Sequence, residues 1–291
     1  MVNYNPKNWL TLIFALHKSD TLRILWKELL YMGVFTLLIT FIFVHFFPNT
    51  FFLKELISVY SLIGFVISLL LVFRTNTAYD RWWEGRKKWG ELVNDTRNLA
   101  IKINVLVSNS EDKDFFKRMI PNFVFAMKEH LRDGIIWEEL DLNQGELDFV
   151  KNRNHIPLVC VTLMYQRINE LKNKTSISGE DFIVLDKNLN SLMDACGSCE
   201  RIKSTPIPFS YSLFLKKFIF IYVLTLPLAF VTTFGYFSAL IATFVFYVLV
   251  SMEVLAEEIE DPFGVDDNDL PTDELAQKIK SATLETFLHN K

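Results

Sequence analysis

Of the 291 residues, 51% are hydrophobic, 14% are aromatic and 22% are charged, and phenylalanine alone accounts for 27. A charged fraction close to the soluble average of about 25%, combined with so many apolar residues, predicts membrane segments joined to a water-facing part. The net charge of −4 argues against a nucleic-acid-binding protein.

The chain begins with residues 1–20, which lack a basic start followed by an apolar core, so no cleavable signal is expected. Four apolar segments follow, and each is predicted to span a membrane as a helix, because about 20 apolar residues cross the hydrocarbon core. One such segment could be a buried helix of a soluble protein, but two hairpins that are apolar on every face argue against that. The predicted spans are 29–47, 51–73, 218–233 and 237–255.

Lysine and arginine mark the cytoplasmic ends of membrane helices, so their positions orient the spans. The turns at 48–50 and around Gly235 carry almost none. The opposite ends carry Arg23, Lys27, Lys216, Lys217 and a basic cluster of Arg74, Arg81, Arg86, Lys87 and Lys88. Trp82 and Trp83 lie within this cluster, as expected at the headgroup level. Both termini and the segment 74–213 are therefore expected in the cytoplasm, in a multi-pass protein of the inner (plasma) membrane.

The cytoplasmic segment is predicted to be helical, because apolar residues recur at helical spacing with charges between them. The predicted helices cover 89–106, 115–131, 158–171 and 178–202. No alternating strand pattern is present, so the predicted fold class is all-α. The predicted parts are an N-terminal cytoplasmic segment 1–28, a first transmembrane pair 29–73, a cytoplasmic helical domain 74–213, a second transmembrane pair 214–255 and an acidic cytoplasmic tail 256–291.

Motifs for enzyme chemistry are missing from the sequence. There is no nucleophile elbow, no Walker loop and no dinucleotide fingerprint, and the five histidines are not at ligand spacing. The chain is therefore not expected to be an enzyme. Three cysteines are too few for a disulfide framework. Cys196 and Cys199 have the spacing of a redox or zinc pair, but they could equally be two small residues on one helix face.

An apolar stripe lies in the second predicted span. Phe65, Leu69 and Phe73 are four residues apart, so they lie on one helix face. In a single helix such a stripe would be an ordinary packing surface. Several copies around a symmetry axis would stack three apolar rings, which can gate ions by dewetting. The spacing leaves both interpretations open.

The region after the fourth span is strongly acidic, with ten carboxylates and no lysine or arginine between Glu253 and Glu274. Carboxylates this close together attract a hard cation such as calcium, although the EF-hand pattern is absent. Alternatively, the acidic stretch pairs with the basic cluster, either within one chain or between subunits.

Three motifs resemble those of the bestrophin family in its bacterial branch. They are FRTNTAYDRWWEGRKKWG after the second span, CERIKSTPIPFSYS before the third and EEIEDPFGVDDNDLP after the fourth. The resemblance covers residues 20–272 and implies a mostly helical, pentameric ion channel with one pore on the fivefold axis. It implies a pore neck at Phe65, Leu69 and Phe73 and a cytoplasmic aperture near Ile183.

The resemblance also implies a calcium clasp at Glu258, Asp261, Asp266 and Asp269. Asp261 stands where animal members have asparagine, so calcium is doubtful and no cofactor is expected to be required. The implied partners are the lipid bilayer, further copies of the chain and small monovalent ions, either chloride or sodium and potassium. Two other hypotheses remain: a non-conducting membrane scaffold or sensor, and a secondary transporter whose best candidate for a helix break is Pro227.

Overall fold

The computed structural model of the chain describes residues 21–47 and 55–288. Within these ranges every regular element is helical and no strand occurs, which confirms the all-α fold class. The predicted turn at 48–50 lies outside the described residues. The helices are α1 (Thr21–Ile24), α2 (Trp26–Phe46), α3 (Leu56–Leu106), α4 (Ser110–His130), α5 (Gln144–Lys151), α6 (Ile156–Asn173), α7 (Gly179–Ser204), α8 (Phe209–Phe234), α9 (Phe237–Glu260) and α10 (Thr272–Leu288), with a short 3-10 turn at Trp137–Glu139.

Four of the described helices, α2, α3, α8 and α9, are long and apolar enough by length and composition to cross a membrane. Two of these helices extend beyond the spans predicted within them. Helix α8 begins at Phe209 rather than at 218, and α9 continues to Glu260 rather than ending at 255. Helix α8 also continues through Pro227, where a break had been the best candidate for a transporter. Gly235, at a φ of 52°, ends α8 and permits the turn into α9.

Helix α3 joins two elements that the sequence analysis separated, the second span and the helix predicted over 89–106. Its 51 residues correspond to a length of about 77 Å at the α-helical rise. The apolar pattern ends near Phe73, but no proline follows within α3, and the charged residues that follow are good helix formers. The change of solvent therefore does not end the helix.

The described residues of the first of two compact units are 21–47, 55–82, 206–262 and 266–269. In this unit α2, α8 and α9 pack against one another. The buried core contributed by α2, α3, α8 and α9 consists of Met32, Ile67, Leu71, Leu215, Ile219, Val223, Phe246 and Leu249.

Small hydroxyl residues line the contact between α2 and α9. The Oγ atoms of Thr40 and Ser238 are 3.0 Å apart, and Thr36 donates to the carbonyl of Met32 at 2.8 Å. Such residues let helix backbones approach closely while their hydroxyls bond within the protein, as membrane helices require.

The second unit comprises residues 83–205, 263–265 and 270–288 of the described chain. Its α4 packs against α6 and α10, and α6 packs against α7. The start of α7 predicted at Ser178 is confirmed, because Ser178 forms a capping box with Asp181. Of the other predicted helices, 89–106 lies within α3, 158–171 lies within α6, and 115–131 overlaps most of α4. Helices α5 and α10 were not predicted.

Helix α10 shows that the tail 256–291 is not only an acidic extension. Asp273 in its first turn accepts hydrogen bonds from Lys128 Nζ at 2.8 Å and from Arg132 Nη2 at 2.7 Å. These two cations hold the pKa of Asp273 down to about 2, with the Arg132 hydrogen bond as the largest cause. The ion pairs therefore fix the start of α10 against the end of α4.

Candidate functional site

In the first unit helix α3 has two distinct faces. Ile67 and Leu71 are buried, at 0% and 3% exposed. Phe65, Leu69 and Phe73 are 66%, 44% and 56% exposed. Their spacing makes them one continuous apolar ridge, called the α3 ridge below. An apolar ridge of this kind can line a pore, face lipid or pack against another copy of the chain.

Ile183, the predicted aperture residue, lies in the second unit near the start of α7. Its side chain is 68% exposed, and the next residue, Val184, is 43% exposed. The Ser178 capping box fixes the start of the helix that carries both residues. Ile183 is therefore an exposed apolar side chain on a well-defined helical turn.

A buried ionic cluster centred on Arg74 lies directly beside the α3 ridge. Arg74 is 2% exposed. Its Nη2 is 2.6 Å from Glu260 Oε2, and its Nε is 3.6 Å from Glu253 Oε2. Glu260 Oε1 also accepts the backbone N–H of Ile207. This pairing confirms, within one chain, the hypothesis that the basic cluster and the acidic stretch meet.

The Arg74 cluster is only partly satisfied. Arg74 Nη1 and both carboxylate oxygens of Glu253 are buried without a hydrogen bond. A buried charge is costly unless it is well paired, and the low dielectric strengthens both the attraction and the penalty. Arg74 and Glu253 therefore depend strongly on each other.

Side chains of the basic cluster hold the acidic loop, defined as residues 258–269. Arg81 Nε donates to the carbonyl of Glu260 at 3.1 Å, and Trp82 Nε1 donates to the carbonyl of Asn268 at 3.1 Å. Asn268 in turn donates its amide to Glu258. Trp82 was also a candidate for a subunit contact or for internal packing, and its indole N–H bonds within the chain.

Asp269 is the most buried carboxylate of the acidic loop, at 2% exposed. Its Oδ2 accepts the backbone N–H of Asp266 at 2.7 Å, but its Oδ1 is buried without a partner. Burial raises the pKa of Asp269 to about 6, and the neighbouring charges of Asp266, Asp261 and Glu258 add to this shift.

The fit of a calcium ion can be tested against the positions of possible ligands. Two groups of three described residues bring ligand atoms within 4.8 Å of one another, and neither contains a residue predicted for the calcium clasp. The Oδ1 atom of Asp269 lacks a hydrogen-bond partner, but Glu258, Asp261 and Asp266 do not form a ligand group with it. No role of calcium follows from this geometry. The two groups are His130, His155 and Glu200, and Glu129, Glu139 and Asp273.

Asp269 is expected to make stability depend on pH. Its pKa is about 6 in the folded chain against an ordinary value of 3.8, so the folded state binds the proton more tightly between these values. Stability should therefore fall as the pH rises from about 4 to about 6. Asp269→Asn keeps a hydrogen-bond acceptor and removes the charge, so thermal unfolding of this variant should lose that part of the pH dependence. The exposed Glu274→Gln is the control and should keep it; an unchanged Asp269→Asn profile would refute the assignment.

The cysteine pair is buried on α7, and all three cysteines are free thiols. Burial raises the pKa of Cys199 to about 12 and that of Cys196 further still. A thiol is reactive as the thiolate, so these residues are poor redox groups. Neither belongs to a ligand group among the described residues. This supports the interpretation of two small residues packed on one helix face.

Comparisons with protein families and solved structures show the family of the chain. A family model described as Bacterial/Fungal Bestrophin protein matches residues 1–285. A crystal structure of a bacterial bestrophin homolog from Klebsiella pneumoniae has a TM-score of 0.82 and 25% identity, covering 92% of this chain and 100% of that one. The fold is that of a helical membrane protein. The chain belongs to the bacterial and fungal bestrophin family, as its three motifs predicted.

Two curated relatives have names that describe a function. A voltage-dependent anion channel-forming protein from Nostoc sp. (strain PCC 7120) is 34% identical over 281 residues, 94% of this chain and 90% of the relative. A voltage-dependent anion channel-forming protein from Escherichia coli (strain K12) is 31% identical over 282 residues, 96% of this chain and 92% of the relative. The family and these relatives confirm the expectation that the chain is not an enzyme.

Proposed function

We propose that the chain forms an anion channel, as a homopentamer around a central pore whose neck is the α3 ridge. The observation that carries the proposal is the pair of faces on α3. One face packs into the core of its own unit, while Phe65, Leu69 and Phe73 remain exposed. One helix from each of several subunits around a cyclic axis can enclose a pore lined by such a ridge. The names of the curated relatives favour anions over cations.

The proposed topology follows from the positions of lysine and arginine. Helices α2, α8, α9 and the first part of α3 span the inner membrane, with both termini and the segment 74–213 in the cytoplasm. The transmembrane pairs are 29–73 and 214–255, preceded by the segment 1–28 and followed by the tail 256–291. Ile183 is the proposed cytoplasmic aperture, by resemblance to the family.

The proposed mechanism rests on partial dehydration in a short apolar neck. Phe65 and Phe73 are separated by about 12 Å along α3, so an ion loses hydration only briefly. The edge of an aromatic ring is electropositive, and rings that present their edges to the pore would favour an anion. Arg74 follows the neck directly but is paired with two carboxylates, so it does not act as a free charge.

An apolar neck makes a prediction about the order of anions. Removing water from an ion without replacing its hydrogen bonds is costly, and the cost is smaller for a large, weakly hydrated anion. Iodide and nitrate should therefore pass more readily than chloride. Calcium is not required in this mechanism, so a chelator should leave the current unchanged.

Flux from liposomes tests the proposal. Purified chain in liposomes should pass a halide without any added cofactor, detected with a halide-quenched dye inside the vesicles. Native mass spectrometry in detergent should give the mass of five chains. A folded pentamer without flux of anions or cations would support the non-conducting scaffold or sensor instead. A monomer would contradict the pore.

A further inference from the structure

We propose that His130, His155 and Glu200 form a binding site for a divalent transition-metal ion, with zinc as the best match. The three side chains lie in the second unit and come from three different helices or their caps. His130 is the last residue of α4, His155 caps the start of α6 and Glu200 lies in the last turns of α7. An ion bound there would tie these three elements together.

The three ligand atoms already converge. Glu200 Oε1 is 2.7 Å from His130 Nε2 and 2.8 Å from His155 Nε2. The two imidazole rings are stacked, with centroids 4.5 Å apart. All three side chains are close to one-third exposed, so an ion can reach them from solvent. Zinc binds histidine nitrogen at about 2.0–2.1 Å, so the Glu200 carboxylate must move slightly outward to admit it.

Comparison with the second ligand group shows why the histidine group is the better candidate. In the group of Glu129, Glu139 and Asp273, the Lys128 ammonium lies within 2.9 Å of an oxygen of each carboxylate. A cation therefore already occupies that position. Among the described residues, the ion-pair partners of Glu200 are the two histidines alone.

The donor set selects the class of metal. Two imidazoles and one carboxylate are the protein ligands of many zinc sites that keep a fourth position open for water. Imidazole suits zinc, copper, nickel and cobalt, whereas calcium and magnesium prefer oxygen ligands. The site should therefore bind zinc and not calcium.

His155 limits the affinity of the site. Its Nδ1 accepts the backbone N–H of Leu158 at 3.1 Å, which places the proton of the neutral ring on Nε2. A metal at Nε2 requires that proton to move to Nδ1, and the cap hydrogen bond is then lost. Zinc ligation must offset this loss. The amide proton of Leu158 should exchange with solvent faster when zinc is bound.

Metal titration of the intact protein tests the site. The full chain, purified in detergent without a polyhistidine tag and stripped of metal, is titrated with zinc in competition with a chromophoric indicator. One zinc per chain should bind, and millimolar calcium should not compete. Cobalt should give the intense visible absorption of a four-coordinate ion.

The variants separate loss of a ligand from loss of structure. His155→Asn keeps a side-chain acceptor for the helix cap and removes the ligand, and Glu200→Gln removes the charge. Each should weaken zinc binding by at least about tenfold, since even indirect partners of a metal site contribute about 10–100-fold. The exposed Glu138→Gln is the matched control and should bind as the wild type does. No stoichiometric zinc binding, or unchanged affinity in both His155→Asn and Glu200→Gln, would overturn the assignment.

Discussion

Replacing Phe65, Leu69 and Phe73 together by alanine is expected to raise the single-channel conductance about fivefold. The substitutions remove the apolar side chains that narrow the proposed neck and exclude water from it. Lowering the barrier to ion passage by about 1 kcal/mol raises the rate of passage about fivefold. The measurement is the unitary current in planar bilayers, in symmetrical chloride solutions, with wild type and variant compared at the same voltage.

The control for this prediction is an equally exposed aromatic side chain on a different proposed span. Phe244 on α9 is 64% exposed, close to the 66% of Phe65. Phe244→Ala should leave the unitary current unchanged, because this residue is not assigned to the pore. An unchanged current in the triple variant, with oligomeric mass and helical content preserved, would show that the α3 ridge faces lipid or another subunit.

Arg74→Met is expected to lower stability by about 3–5 kcal/mol, because it leaves the buried carboxylate of Glu253 and the partly buried carboxylate of Glu260 without their cation. Glu253 would be the worse affected, since both of its oxygens already lack hydrogen bonds. Glu260 would still accept the hydrogen bond from the backbone N–H of Ile207. Thermal unfolding in detergent, followed by tryptophan fluorescence, should show a clearly lower midpoint.

A second substitution identifies the cause of this loss. Adding Glu253→Gln to Arg74→Met removes an uncompensated charge and should restore about 0.5–3 kcal/mol, as expected for residues in direct contact. Lys216→Met breaks the Lys216–Glu257 pair, whose side chains are about half exposed, and should cost no more than about 1 kcal/mol. If Arg74→Met were no more destabilising than Lys216→Met, the buried pairing would be unimportant.

Sequence patterns predicted the features that depend on local chemistry. The apolar segments, the cap at Ser178 and the spacing of Phe65, Leu69 and Phe73 are all visible in the chain itself. The length of α3 was missed because hydropathy reports the solvent around a helix, not where its backbone hydrogen bonding stops. Helix α10 was not predicted because its position depends on the contacts of Asp273 with Lys128 and Arg132, which are distant in sequence.

Contacts distant in sequence could not be predicted. Arg74 and Glu253 are separated by most of the chain, and only the fold shows which acid the arginine meets. The same holds for His130, His155 and Glu200, which are scattered in sequence and gathered by α4, α6 and α7. A spacing rule for metal ligands detects sites on one or two adjacent elements, so it passes over a group like this.

The reversal potential under a potassium chloride gradient tests the proposed anion channel most directly. Tag-free wild-type protein in a planar bilayer with a tenfold gradient should reverse close to the chloride equilibrium potential, about 59 mV from zero for a monovalent ion. Replacing potassium by a large organic cation should leave that value unchanged. A reversal potential near the potassium equilibrium value, or no current from correctly assembled protein, would contradict the account.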